Sequence, residues 1–326
     1  MQLPIFTVSL DFELHWGRFD KANIEGNEEY YIQTRRAIPE ILKLFKEFEI
    51  EATWATVGML FAENHKEWTK YSPLEQPSYS CTQFSAYSWL KNNQVQGEFI
   101  FAPDLIQKIL KVKGQEIGSH TFSHYYTLAD GQTRDQYRQD LQAACRIAKE
   151  KFDIQLSSLV FPRNQINREY LDISKEEGFN AIRSNPADWY WQDTFDERLV
   201  KKIFRTGDAI APLGQKSYYS LSALQGKENL PLMLPASRFL RPYHPNFPLI
   251  NYLKLRRLKA EMTKAAQEGE IYHLWWHPHN HGRNLVESLK ELKDLLHHFN
   301  QLRDRYGMIS KNMRSIEKMV GSVKGA

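Results

Sequence analysis

Short apolar runs that end in ionisable residues alternate with amphipathic segments along nearly the whole chain. No other feature of the sequence narrows the fold as much. Residues 5–10, 52–57, 117–119, 156–161, 181–183, 230–234, 271–276 and 308–310 read as strands. Between them, 28–48, 134–152, 168–177, 249–268 and 285–299 carry the periodicity of amphipathic helices. Pro39 is predicted to kink or split the first of these helices. Gly178 and Gly269 stand where two others should stop. Alternating strands and helices imply a parallel sheet covered by helices. The strand ends carry Asp11 and Glu13, His120, Arg163 and His277, spread from the first strand to nearly the last. That spread fits a closed barrel, which gathers its strand ends at one mouth, better than an open sheet. Two long stretches, 61–101 and 205–241, break the pattern and are expected to be insertions over the active-site face of a single domain spanning residues 1–326.

The most specific segment is Gly118-Ser119-His120-Thr121-Phe122-Ser123-His124. A spacing of four on a helical turn brings two imidazoles to one face, where they suit a borderline-soft divalent metal such as zinc. Near the N-terminus, Asp11, Glu13 and His15 follow an apolar strand and share one side if the strand continues. Three ionisable groups there need pairing, hydration or a metal. We read His15 as a hydrogen-bonded strand-end residue, not a fourth ligand. Near the C-terminus, Leu274-Trp275-Trp276-His277-Pro278 ends another strand, and Pro278 keeps His277 extended at the mouth. His279 and His281 are expected on the rim. Trp189 and Trp276 belong to a set of aromatic residues beside these polar segments, and flat aromatic faces suit a sugar ring.

Composition excludes several classes. The net charge of +4 is dispersed, which argues against a nucleic-acid surface. Two cysteines, Cys81 and Cys145, make no disulfide framework. No apolar run is long enough to cross a bilayer, and Met1-Gln2-Leu3-Pro4 lacks a basic leader, so a cytoplasmic enzyme is expected.

Taken in order, these segments resemble the motifs of the polysaccharide deacetylase superfamily of carbohydrate esterases. Ser9-Leu10-Asp11-Phe12-Glu13 is similar to its first motif, with one residue between the acids. His120-Thr121-Phe122-Ser123-His124 is similar to the second, Pro162-Arg163 to the third, Asp188-Trp189 loosely to the fourth and Leu274-Trp275-Trp276-His277 to the fifth. The resemblance implies a distorted (β/α)7 barrel and one divalent metal, zinc above other transition metals, held by Glu13, His120 and His124. It implies removal of an N-acetyl or related acyl group from a sugar, with Asp11 as general base and His277 as general acid. Arg163 and Asp188 would orient those two, and Leu274 would line the acyl pocket. A cytoplasmic member would meet a nucleotide- or lipid-linked sugar. Two departures stand out: Glu13 replaces the usual aspartate, and Arg163 follows its proline. The alternatives are another small-amide hydrolase on the same fold (a deformylase or cyclic-amide hydrolase) and a non-catalytic sugar-binding relative. A barrel glycosidase is disfavoured, because Asp11 and Glu13 are too close in sequence to flank a glycosidic bond.

Overall fold

The computed structural model describes residues 3–192, 194–195, 198–224, 226 and 229–324. Ile5–Phe12 (β1) is buried along its whole length, as a strand covered on both faces must be. Helix α1 (Glu28–Glu47) comes next, and β2 (Ala52–Thr56) follows. The helix runs through Pro39 as one element. Its buried face, which includes Ala37, Ile38, Ile41, Leu42 and Phe45, outweighs the loss of one ladder bond.

The first expected insertion carries α2 (His65–Tyr71) and α3 (Ala86–Asn92). Next come α4 (Pro103–Leu110), β3 (Gln115–Ser119), α5 (Arg134–Phe152), β4 (Ser158–Leu159), α6 (Leu171–Glu176), β5 (Ala181–Ser184) and α7 (Leu199–Gly207). A full capping box, Thr133 with Gln136, starts α5. The chain ends with β6 (Leu232–Pro235), β7 (Arg238–Phe239), α8 (Pro248–Glu268), β8 (Ile271–Trp276), α9 (Leu285–Tyr306), β9 (Ile309–Ser310) and α10 (Met313–Lys324).

Every pairing between these strands is parallel. The order runs β6-β5-β4-β3-β2-β1-β8-β7, with β9 added at the start of β1. Strands β6 and β7 are two halves of one stave. The first half pairs with β5 and the second with β8. Between them the N–H of Ala236 donates to Ser184 O and that of Ser237 to His273 O, both at 2.8 Å. This stave closes the sheet into a seven-stave barrel. Part of the segment 205–241 is therefore barrel wall and not insertion. The strand expected at 230–234 overlaps β6, while β7, two residues long and paired to another strand, is too short to show a period.

Helix α10, which carries no strong sequence signal, plugs the opposite end. Met313, Ile316 and Val320 pack with Ile5, Ala181, Leu232 and Ile271, residues at the beginnings of the strands. The open end is therefore the one where the strands finish. No helix among the described residues is long and apolar enough to cross a membrane.

The barrel buries several histidines. His15 Nδ1 lies 2.8 Å from the Tyr31 hydroxyl, and His273 Nε2 lies 2.9 Å from Ser9 Oγ. Burial, then the charges of Arg18, Arg183 and Lys254 respectively, hold His15 at about 4, His273 at about 3 and His281 at about 4. An unfolded histidine titrates near ~6.5. Between those values the unfolded chain binds more protons than the folded one, so stability falls as pH falls. Asp140, raised by burial to about 7, and Glu291, also raised by burial, work the other way over part of the same window. His124, His279 and His298, all lowered by burial, add to the first three. The denaturation midpoint of the metal-free protein is therefore expected to drop steadily from pH 6.5 to 4. A flat profile in urea titrations across that range would contradict it.

Candidate active site

Asp11 and Glu13 stand at the mouth, where β1 gives way to a 3-10 turn, Leu14–Gly17. Both carboxylates are buried, so each needs compensation. For Asp11 the partner is Arg183 at the end of β5. Arg183 Nη1 donates to Oδ1 at 2.6 Å and Nη2 to Oδ2 at 2.8 Å, a bidentate pair. Burial alone would raise the Asp11 carboxyl, but Arg183, His120 and His277 bring it below its ordinary value. Behind this pair Arg183 Nη1 also donates to Ser9 Oγ at 3.2 Å, and its guanidinium lies 4.2 Å over the Trp275 ring.

Glu13 is surrounded by histidines. His120 Nε2 lies 3.0 Å and His124 Nε2 3.3 Å from Glu13 Oε1. The two imidazoles meet as expected, but not on a helical turn. Residues 120–127 form a loop in which Thr121 (φ 61°) and His124 (φ 55°) are left-handed. Asp140 of α5 holds that loop. Its Oδ1 accepts the Phe122 N–H at 2.7 Å, and its Oδ2 accepts the Ser123 N–H at 3.1 Å and hydroxyl at 2.5 Å.

The donor set fits a divalent metal. His120 Nδ1 donates to the Val160 carbonyl at 2.8 Å, so in the neutral ring Nε2 is a bare lone pair aimed at a carboxylate oxygen. Burial holds His124 at about 4, and its Nδ1 has no hydrogen-bond partner among the described residues. Burial would raise Glu13, yet His277, His120 and His124 pull it well below the usual range. A lone pair of His120 facing a carboxylate oxygen across 3.0 Å needs a cation between them, and the carbonyl behind His120 is the orienting contact typical of a metal-bound imidazole.

His277 Nε2 lies 3.6 Å from Asp11 Oδ2 and 3.9 Å from Glu13 Oε1, partly open to the cleft. His279 and His281, expected on the rim, are buried, because Pro278–His281 turns back as a 3-10 helix against α1.

The remaining predicted residues lie elsewhere. Arg163 pairs with Asp20 and stacks 4.6 Å over Tyr126, on the cleft wall and away from Asp11. Asp188 accepts the Gln215 N–H at 2.8 Å and so anchors a loop. Trp189 is half exposed against Phe204. Leu274 and Trp276 point outward into the helix layer, where Trp276 meets Phe45 of α1. Strand alternation explains this, since His273 and Trp275 share one face of β8 while Tyr272, Leu274 and Trp276 share the other. Trp275, Trp191, Phe239, Tyr126 and Phe84 line a cleft of about 850 Å³ with His277 on its wall. The signal for Arg183 was a cation closing a buried strand, and for Trp275 the period of two.

Residues 19–182 match the family model for polysaccharide deacetylase. The chain belongs to the polysaccharide deacetylase family. It is thereby a hydrolase of non-peptide C–N bonds whose family acts on acetylated sugars. Its fold is found in solved structures, among them the following three. A Mycobacterium smegmatis protein described as a polysaccharide deacetylase has a TM-score of 0.62 at 14% identity, covering 98% of this chain and 92% of that one. Another so described, from Pseudomonas aeruginosa PAO1, scores 0.57 at 14% identity, covering 96% and 89%. The Puue allantoinase scores 0.56 at 14% identity, also covering 96% and 89%. At such identities the likeness is one of fold. No curated protein matches the chain.

One further residue shapes the centre. A Cβ on Gly17 would fall 1.8 Å from Glu13 Oε2 and 2.5 Å from its Cδ. Glu13 is pinned by two histidines and cannot step aside freely. Gly17→Ala is expected to lower the affinity of the site for a divalent metal by ~10–100-fold, the range for lost orienting contacts. Chelator competition measures this, and an unchanged affinity in a folded variant would contradict it.

Proposed function

We propose that this protein removes an acyl group, acetyl first, from the amino nitrogen of a sugar, using a divalent metal, zinc above others, held by Glu13, His120 and His124. The observation that carries the reading is the convergence of both His Nε2 atoms on Glu13 Oε1, beside an Arg183-clamped Asp11 and within reach of His277. When bound, the ion supplies polarisation of the acyl carbonyl and a lowered pKa for attacking water. Asp11, kept ionised by Arg183, accepts the proton from that water. The same clamp fixes the direction of its lone pairs. His277 Nε2 donates a proton to the leaving amine nitrogen. Its place between the Asp11 carboxylate and the open cleft lets it stay beside that carboxylate and still face substrate. Trp275 and Trp191 offer flat walls to the sugar. A cleft of about 850 Å³ is roomier than a small cyclic amide needs, which favours a sugar substrate over that alternative.

The test is acetate release from a panel of N-acetylated sugars, neutral oligosaccharides and nucleotide- or lipid-linked sugars included, with elemental analysis of the same preparation. Release that requires the metal supports the reading, and sugar cleavage without acetate would overturn it. Asp11→Asn should keep the metal and lose ~10²–10⁴-fold in rate, as expected for a lost general base. Wild-type turnover in that variant would move the role elsewhere. His277→Ala should retain the metal and slow amide cleavage far more than cleavage of an activated ester, whose leaving group needs less help from an acid. Equal losses on both substrates would count against His277 as the acid.

A further inference from the structure

The Glu13 carboxylate has a second side. While Oε1 faces His120 and His124, Oε2 lies over Gly17 and faces His279 Nδ1 at 3.7 Å. His277 Nε2 is 3.9 Å from Oε1, and the His277 and His279 rings stack with centroids 4.8 Å apart and planes 19° apart. Glu13, His277 and His279 thus form a second set of three donors, each offering an atom within 4.8 Å of the others. His279 is 7% exposed, and its Nδ1 has no hydrogen-bond partner among the described residues. A buried imidazole nitrogen normally finds a donor or acceptor. Here it is aimed at a carboxylate oxygen instead. The other charges near it are Arg18 and Asp11, and Asp11 is already taken by Arg183.

We propose a second divalent-cation site, formed by Glu13, His277 and His279, that shares the Glu13 carboxylate with the Glu13–His120–His124 centre and inhibits the enzyme when filled. Two imidazoles and a carboxylate are a donor set for zinc. A single carboxylate can serve two ions, one on each oxygen, roughly 3.5–4 Å apart. The second set is the wider one, with contacts of 3.7 and 3.9 Å against 3.0 and 3.3 Å, and His277 is its partly exposed member. It also shares a carboxylate already engaged by the first ion. It therefore fills later, at higher free zinc. Filling it engages the His277 lone pair and leaves no proton there to give. The inhibition, though not the site itself, rests on the reading of His277 as the general acid.

Zinc is titrated into metal-free protein by equilibrium dialysis with elemental analysis, and activity is followed at the same free zinc concentrations. Wild type should bind one equivalent, then a second with at least ~10-fold weaker affinity, since each tenfold step reflects ~1.4 kcal/mol. Activity should rise with the first and fall with the second. His279→Ala should keep the first equivalent, which also reports that the variant is folded, and lose the second together with the inhibitory arm. His279→Gln, which retains a polar side chain, should behave in the same way. A single equivalent in wild type at all zinc concentrations would overturn the site, as would a second equivalent that survives in both variants. Two equivalents with no acetate release from any substrate would leave the site standing and count against the proposed function and the inhibition alone.

Discussion

Two carboxylates buried side by side at the end of β1 are the constraint around which the rest of the mouth is arranged. Asp11 and Glu13 are both almost wholly removed from water. Such a pair repels itself and resists desolvation, so compensating partners must come to it from other strands. The barrel supplies them from three directions. Arg183 arrives from β5, His120 and His124 from the loop after β3, and His277 from the end of β8. The supports are themselves anchored. Val160 fixes one imidazole, Asp140 the loop that carries both, and Ser9 and Trp275 the guanidinium. Because the compensating groups come from distant parts of the chain, the site and the closed sheet depend on one another.

The sequence made part of this legible. The alternation of strands and helices announced the parallel sheet, and ionisable residues at strand ends marked the mouth. The two histidines and the two acids were visible because each motif is contiguous. What was hidden depended on contacts between segments. Arg163 and Arg183 both end strands, and nothing local says which one turns inward to Asp11. A left-handed backbone at Arg163 carries its side chain to Asp20. Leu274 and Trp276 were expected at the substrate, but a strand alternates, and the inward set is His273, Trp275 and then His277. The strand read at 230–234 overlaps β6, but its continuation in β7 and the plug α10 were missed for a related reason. Two residues give no periodicity, and α10 is defined by the barrel floor it covers.

Glu13, where an aspartate is usual in the resemblance drawn from sequence, shows how one methylene propagates. A longer side chain at that position would carry its carboxylate past the histidines unless the chain made room. The 3-10 turn from Leu14 to Gly17 makes that room. Leu14 enters it in the left-handed region at φ 47°, and the turn ends on a residue without a Cβ, against which Oε2 rests. Glutamate at 13 and glycine at 17 are thus one steric arrangement. The arrangement also rotates the second carboxylate oxygen toward β8, where Pro278 ends the extended backbone and the following turn tucks His279 inward instead of out to the rim. The same methylene that requires Gly17 therefore gives Glu13 two faces, one toward the paired histidines after β3 and one toward the stacked histidines after β8.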